Sequence, residues 1–192
     1  MPPKAKYTKN EIVRNALELV REQGIERLTA RDLGEYLKCS SRPIFTAFAN
    51  MDELKSEVKK AAEECYQNYI EAALNKKEVV FKDIGKVYIR FACDEKNLFK
   101  LLFMTEAVEN ISVNNVLPDL KGKYQMILEG IAKQFEISKE QAAKMYRHLW
   151  IYTHGIAVLM VTNVCTFSDE EIDNCLYEVG KSIITLIRMG EI

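Results

Sequence analysis

Residues 29–48, T-A-R-D-L-G-E-Y-L-K-C-S-S-R-P-I-F-T-A-F, constrain this chain more than any other stretch. Thr29 suits a helix N-cap, because its side-chain oxygen can accept from an amide of the first turn. Behind it Ala30, Leu33, Tyr36 and Leu37 fall on one side of a helix. After a short turn, Ser40 or Ser41 can cap a second helix. In that helix Ile44 and Phe48 stand four apart and face inward. Ser41, Arg42, Phe45 and Thr46 are left for the opposite side. Two short helices, the second braced by the first and presenting small polar and basic groups at its start, are what entry into a DNA major groove requires.

The rest of the chain predicts more helices. It has 192 residues with only eight Gly and four Pro, and Leu, Glu, Lys, Ala and Ile are abundant. Hydrophobic residues at 48% and charged residues at 29% are the proportions of a globular protein. A first amphipathic helix over 11–24 carries Ile12, Ala16, Leu19 and Val20 on one stripe. Asn50 caps a helix running to about residue 75, and others follow over 81–93 and 95–105. Asn114 or Asn115 starts another, with Pro118 in its first turn and Ile127, Leu128, Ile131 and Phe135 along it. Two capping boxes come next. Ser138 with Gln141 opens a long helix to about residue 164, and Ser168 with Glu171 opens the last. The expected fold is therefore all-α, with about nine helices.

Residues 8–58 resemble the DNA-binding domain of the TetR family of bacterial transcriptional regulators. The resemblance rests on an opening amphipathic helix that ends in Gly24, on Thr29 and Arg31 at the start of helix two, and on Ser40 before the recognition helix. It rests further on the Ile44-Phe45 pair, the closing Phe48, and Leu54 a turn into helix four. The chain departs from the family pattern at five places. Lys38 stands at the usual turn glycine, Arg42 at a glycine within the recognition helix, and Pro43 at the polar position after it. Phe45 replaces a tyrosine and Met51 a lysine, so two common phosphate contacts are missing, with Arg42 and Lys38 as replacements. Pro43 falls in the first helical turn, where a missing N–H costs nothing.

The resemblance implies three helices for DNA over residues 1–50 and a larger ligand-binding and dimerisation domain over 51–192, with helix four shared. It implies a cytoplasmic, ligand-responsive homodimeric repressor on a palindromic double-stranded DNA operator, with an unidentified small-molecule effector. Thr29 and Arg31 would contact phosphate, and Lys4, Lys6 and Lys9 the backbone or minor groove. Ser40 would open the recognition helix. Ser41, Arg42, Pro43 and Thr46 would face base edges, Arg42 by bidentate reading of a guanine. Phe45 would pack on sugar or a thymine methyl. Dimerisation would use the last two helices, which are apolar on more than one side. The rival reading is a helical small-molecule sensor or interaction protein that has lost specific DNA binding, motivated by Phe45 and Met51.

Charge fits a chain that meets phosphate at one end. Residues 1–50 hold nine Lys/Arg against six Asp/Glu, whereas 51–192 hold eighteen against twenty-two. An enzyme is not expected. His148 and His154 are six apart, about 240° on a helix, and cannot share a metal. Phosphate-cradling and nucleophile-elbow motifs are absent. Five cysteines, odd in number and without C-x-x-C spacing, predict no disulfide framework, no metal and no cofactor. No apolar run reaches membrane-spanning length, and the N-terminus does not read as a signal peptide. Tyr66, Tyr69, Tyr88, Phe91, Phe103, Met126, Trp150 and His154 are the candidate ligand-binding residues. Trp150 to Gly155 is similar to a W-x-x-x-H-G stretch of some TetR-like C-terminal domains. Aromatic residues at helical spacing are usually ordinary core, and that reading stands beside the ligand-pocket one.

Overall fold

The computed structural model describes residues 7–74, 81–105, 112–113, 117 and 122–192, without the side chain of Phe81. Among the described residues the chain is all-α. The helices are α1 (Lys9–Gln23), α2 (Ala30–Tyr36), α3 (Arg42–Ala47), α4 (Met51–Leu74), α5 (Phe81–Asp94), α6 (Lys96–Phe103), α7 (Lys123–Phe135), α8 (Lys139–Val161) and α9 (Asp169–Met189), with a 3-10 turn at Ile25–Arg27. The described residues group into two compact units, one within 1–66 and 95–106, the other within 67–94 and 107–192. The first unit thus extends beyond residue 50, taking in most of α4 and all of α6.

In the first unit, Thr8 and Glu11 close a capping box on α1. Ile12, Ala16, Leu19 and Val20 are buried along one stripe, as the spacing predicts. They share the core with Leu28, Leu33, Leu37, Ile44, Phe48 and Leu54. Asn50 caps α4 through its Oδ1, which accepts from the Glu53 amide at 2.8 Å. α6 is tied to the end of α1 by two bonds. The Asn97 side chain donates to the Arg21 carbonyl at 3.0 Å, and Arg21 Nε pairs with Glu95 at 2.8 Å.

In the second unit, α8 packs most extensively on α5 and also lies against α7 and α9. Ser138 with Gln141 and Ser168 with Glu171 form the expected capping boxes. One expected boundary falls outside the described residues and one differs. α7 begins at Lys123, and the proposed start at Asn114 or Asn115 with Pro118 lies outside the described residues. α8 stops at Val161 rather than near 164. Asn163 turns left-handed (φ 57°) and lets the Val164 amide return to the Leu159 carbonyl at 3.0 Å.

Candidate nucleic-acid interface and an aromatic cluster

The candidate interface is built from the end of α2, a tight turn and α3. Thr29 caps α2 as expected, accepting from the Asp32 amide at 3.1 Å, while its hydroxyl donates to Asp32 Oδ2 at 2.9 Å. α2 ends in a Schellman motif. The Lys38 amide returns to the Glu35 carbonyl at 3.0 Å and the Cys39 amide to Gly34 at 2.9 Å. Lys38 occupies the left-handed position with φ 52°, where glycine is the usual occupant. The turn lies so close to α2 that a Cβ on Gly34 would meet the Cys39 carbonyl at 3.1 Å.

α3 follows. Neither serine caps it by side chain, contrary to expectation. Ser41 is the N-cap but has helical backbone angles (φ −68°, ψ −10°), and no side-chain cap bond forms. Its carbonyl instead accepts from the Ile44 amide at 3.0 Å and the Phe45 amide at 3.4 Å. Pro43 is accommodated in the first turn. Ile44 and Phe48 are buried. Ser40, Arg42, Phe45 and Thr46 are exposed, with Ser41 and Pro43 half-buried. Phe45, three positions after Arg42 in the same helix, is 51% exposed, a large apolar surface. The Thr46 hydroxyl donates back to the Arg42 carbonyl at 2.9 Å.

Other expected contacts are differently engaged. Arg31 is exposed and pairs with Glu35 at 3.1 Å along the helix surface. Lys9, expected to reach DNA, pairs with Glu53 at 2.8 Å and lies 4.8 Å from the Phe48 ring centroid. That bond is the chief cause holding the Glu53 carboxyl below its ordinary pKa. Lys4 and Lys6 lie outside the described residues.

The eight candidate ligand residues are divided between the two units. Tyr66 and Phe103 belong to the first unit and pack edge to face at 5.2 Å. In the second unit, Tyr69 and Phe91 make a similar pair at 5.2 Å. The structure does bring Tyr88, Trp150 and His154 together. The Tyr88 hydroxyl and His154 Nδ1 share a hydrogen bond of 2.9 Å, and Trp150 and His154 stack at 5.1 Å. Burial lowers the His154 pKa and raises that of Tyr88, so both are held neutral. Trp150 Nε1 is buried without a hydrogen-bond partner. Met126 is 52% exposed and lines, with Leu74, Ile84, Ile127, Gly130, Ile131 and Gln134, an apolar hollow of about 50 Å³. Ligand sites run to about 300–1,000 Å³, so this hollow is too small for an effector as it stands. All five cysteines are free, and no cluster of three or more metal-ligating side chains occurs among the described residues.

Sequence reasoning missed Gly34 and Tyr7. A glycine inside a seven-residue helix is a poor helix former and signals close approach, so Gly34 was legible. Tyr7 left no signal. Its hydroxyl donates to the Leu37 carbonyl at 2.7 Å, across thirty positions.

No protein-family model matches the chain, and no curated protein matches it either. Among solved structures, it is similar to a protein of unknown function from Rhodococcus sp. RHA1. The TM-score is 0.69 at 14% identity, covering 96% of this chain and 97% of that one. At that identity the likeness is one of fold, and it extends over nearly the whole all-α chain.

Proposed function

We propose that this chain is a ligand-responsive transcriptional regulator, a repressor that binds a palindromic DNA operator as a homodimer, in the manner of the TetR family that residues 8–58 resemble. One observation carries the reading. α3 buries Ile44 and Phe48 against its own unit while Arg42, Phe45 and Thr46 stand exposed on the same short helix. A braced helix with a guanidinium, an aromatic ring and small polar groups on its outer side suits reading of base edges. Arg42 is exposed, so its charge is open to DNA.

A homodimer is supported by apolar side chains left exposed on α8 and α9. Ile151 is 42%, Leu159 38% and Tyr177 61% exposed. A second copy would cover them, and two recognition helices would supply the contacts one cannot. An effector would enter by enlarging the apolar interior of the second unit, favouring a state with weaker DNA affinity. No helix among the described residues is long and apolar enough to cross a membrane.

The rival, a helical sensor without specific DNA binding, draws on Phe45 and Met51 and on carboxylates beside the expected phosphate contacts. Glu35 pairs with Arg31, and Asp32 with Thr29. Selection from a random duplex pool at near-physiological salt separates the two. Recovery of one palindrome with half-sites about a helical turn or more apart supports the regulator. A folded chain that enriches no sequence supports the rival.

A further inference from the structure

α3 has only six helical residues, too few to hold a helix by its own hydrogen bonds. Its direction must come from what grips its two ends. Gly34 and the Schellman turn fix the approach from α2, and Ile44 and Phe48 fix the inner face. Two further contacts come from the beginning of α1, two positions apart on either side of the Thr8 cap. Tyr7 donates its hydroxyl to the carbonyl of Leu37, the last residue before the left-handed Lys38. Lys9 reaches the other end. Its ammonium stands over the ring of Phe48, the C-cap of α3, and pairs with Glu53. The same Glu53 accepts from the amide of Ala49, the next residue along, at 2.7 Å. The two contacts therefore hold the C-cap of α2, from which the turn leads into α3, and the C-cap of α3 with the residue after it.

We propose that Tyr7 and Lys9 are positioning residues. They form a clasp at the start of α1 that sets the orientation of α3, and so the register in which Arg42, Phe45 and Thr46 meet bases. The inference rests on the DNA-binding reading for its purpose, but the clasp itself is a property of the free protein. It also reassigns Lys9, whose charge is used inside the protein rather than on phosphate. A clasp acts on specificity. Misaligned α3 loses base contacts, whereas non-specific binding, which follows phosphate charge, is retained.

The test uses the full chain with Tyr7→Phe, Lys9→Met and the conservative Lys9→Arg. Affinity is read on the selected operator and on an unrelated duplex across a salt series. Hydrogen exchange is read at the amides of Lys38, Cys39 and Ala49, with α1 amides as the control for intact folding. Tyr7→Phe and Lys9→Met are each expected to weaken operator binding by about fivefold, the worth of one hydrogen bond. The unrelated duplex and the salt slope stay unchanged, and Lys9→Arg restores operator binding. Exchange rises at Lys38 and Cys39 in the first variant and at Ala49 in the second. Equal losses on both duplexes, with the slope flatter by about one, would make Lys9 a phosphate contact and overturn the proposal. Unchanged exchange would overturn it too. If the unaltered chain enriches no duplex, the DNA reading fails, and the exchange data still decide whether the clasp exists.

Discussion

Lys38 and Arg42 take over positions where the resembled family has glycine, and each substitution has a separate physical consequence. Lys38 sits at φ 52°, where a side chain costs about 1–2 kcal/mol. Lys38→Gly relieves that cost but adds about 0.5–1 kcal/mol of unfolded-state entropy. The net expectation is a gain of about 0.5 kcal/mol in urea unfolding, whereas β-branched Lys38→Val is expected to lose stability. If Lys38 also touches phosphate, Lys38→Gly weakens binding to every duplex alike. Arg42→Ala is expected to cost about 1–3 kcal/mol on the operator and to relax preference at one base pair. Equal losses on all sequences would instead demote Arg42 to a phosphate contact. His154 adds a pH dependence near neutrality. Burial lowers its pKa from 6.5, so the unfolded chain takes up the proton first as pH falls. The stability it supports is present above about pH 6.5 and is lost as pH drops through its folded pKa. His154→Asn, compared with the unaltered chain by urea unfolding between pH 7.5 and 5, should remove that loss. Glu11, Glu53, Glu171 and Asp173, all shifted below their ordinary values, lose their contributions only at lower pH.

At the level of helices, local signals were legible and distant ones were not. Thr29, Asn50, Ser138 and Ser168 all cap where the sequence places them, because a cap depends on residues within one turn. Ser168→Ala is accordingly expected to cost about 1 kcal/mol, read as a shift in urea midpoint with an unchanged slope. A negligible shift would mean that α9 is held by packing alone. The inner side of α3 was legible too, because Ile44 and Phe48 repeat at four. Ser41 failed as a side-chain cap because the preceding Schellman turn delivers the chain already in helical conformation. The end of α8 was overextended because Asn163 reads as an ordinary polar residue until its left-handed angle is seen. Membership of α6 in the first unit was invisible, since Asn97 and Arg21 are 76 positions apart. The aromatic candidates illustrate the same limit. Helical spacing marks them as inward-facing but does not say which pack together, as Tyr88, Trp150 and His154 do.

For the whole chain, the basic excess of residues 1–50 and the exposed apolar groups of α8 and α9 lie in different units. Function in the proposed sense needs both. Leu159 is 38% exposed, so Leu159→Glu should leave the fold intact while placing a charge where a second copy would pack. Sedimentation should then report a monomer, and operator affinity should fall with it. A dimer that persists would locate self-association elsewhere. The chain also holds a single tryptophan. That residue, Trp150, has a buried indole N–H without an acceptor and an imidazole stacked on its ring. Excited beyond the tyrosine absorption band, the emission of this protein therefore comes from one point in the α5–α8 packing. Its ring is half-buried and stacked on His154, so its emission is expected to respond to a proton on that imidazole. The molecule carries its own optical gauge of whether that interior is closed, opened by a guest, or charged.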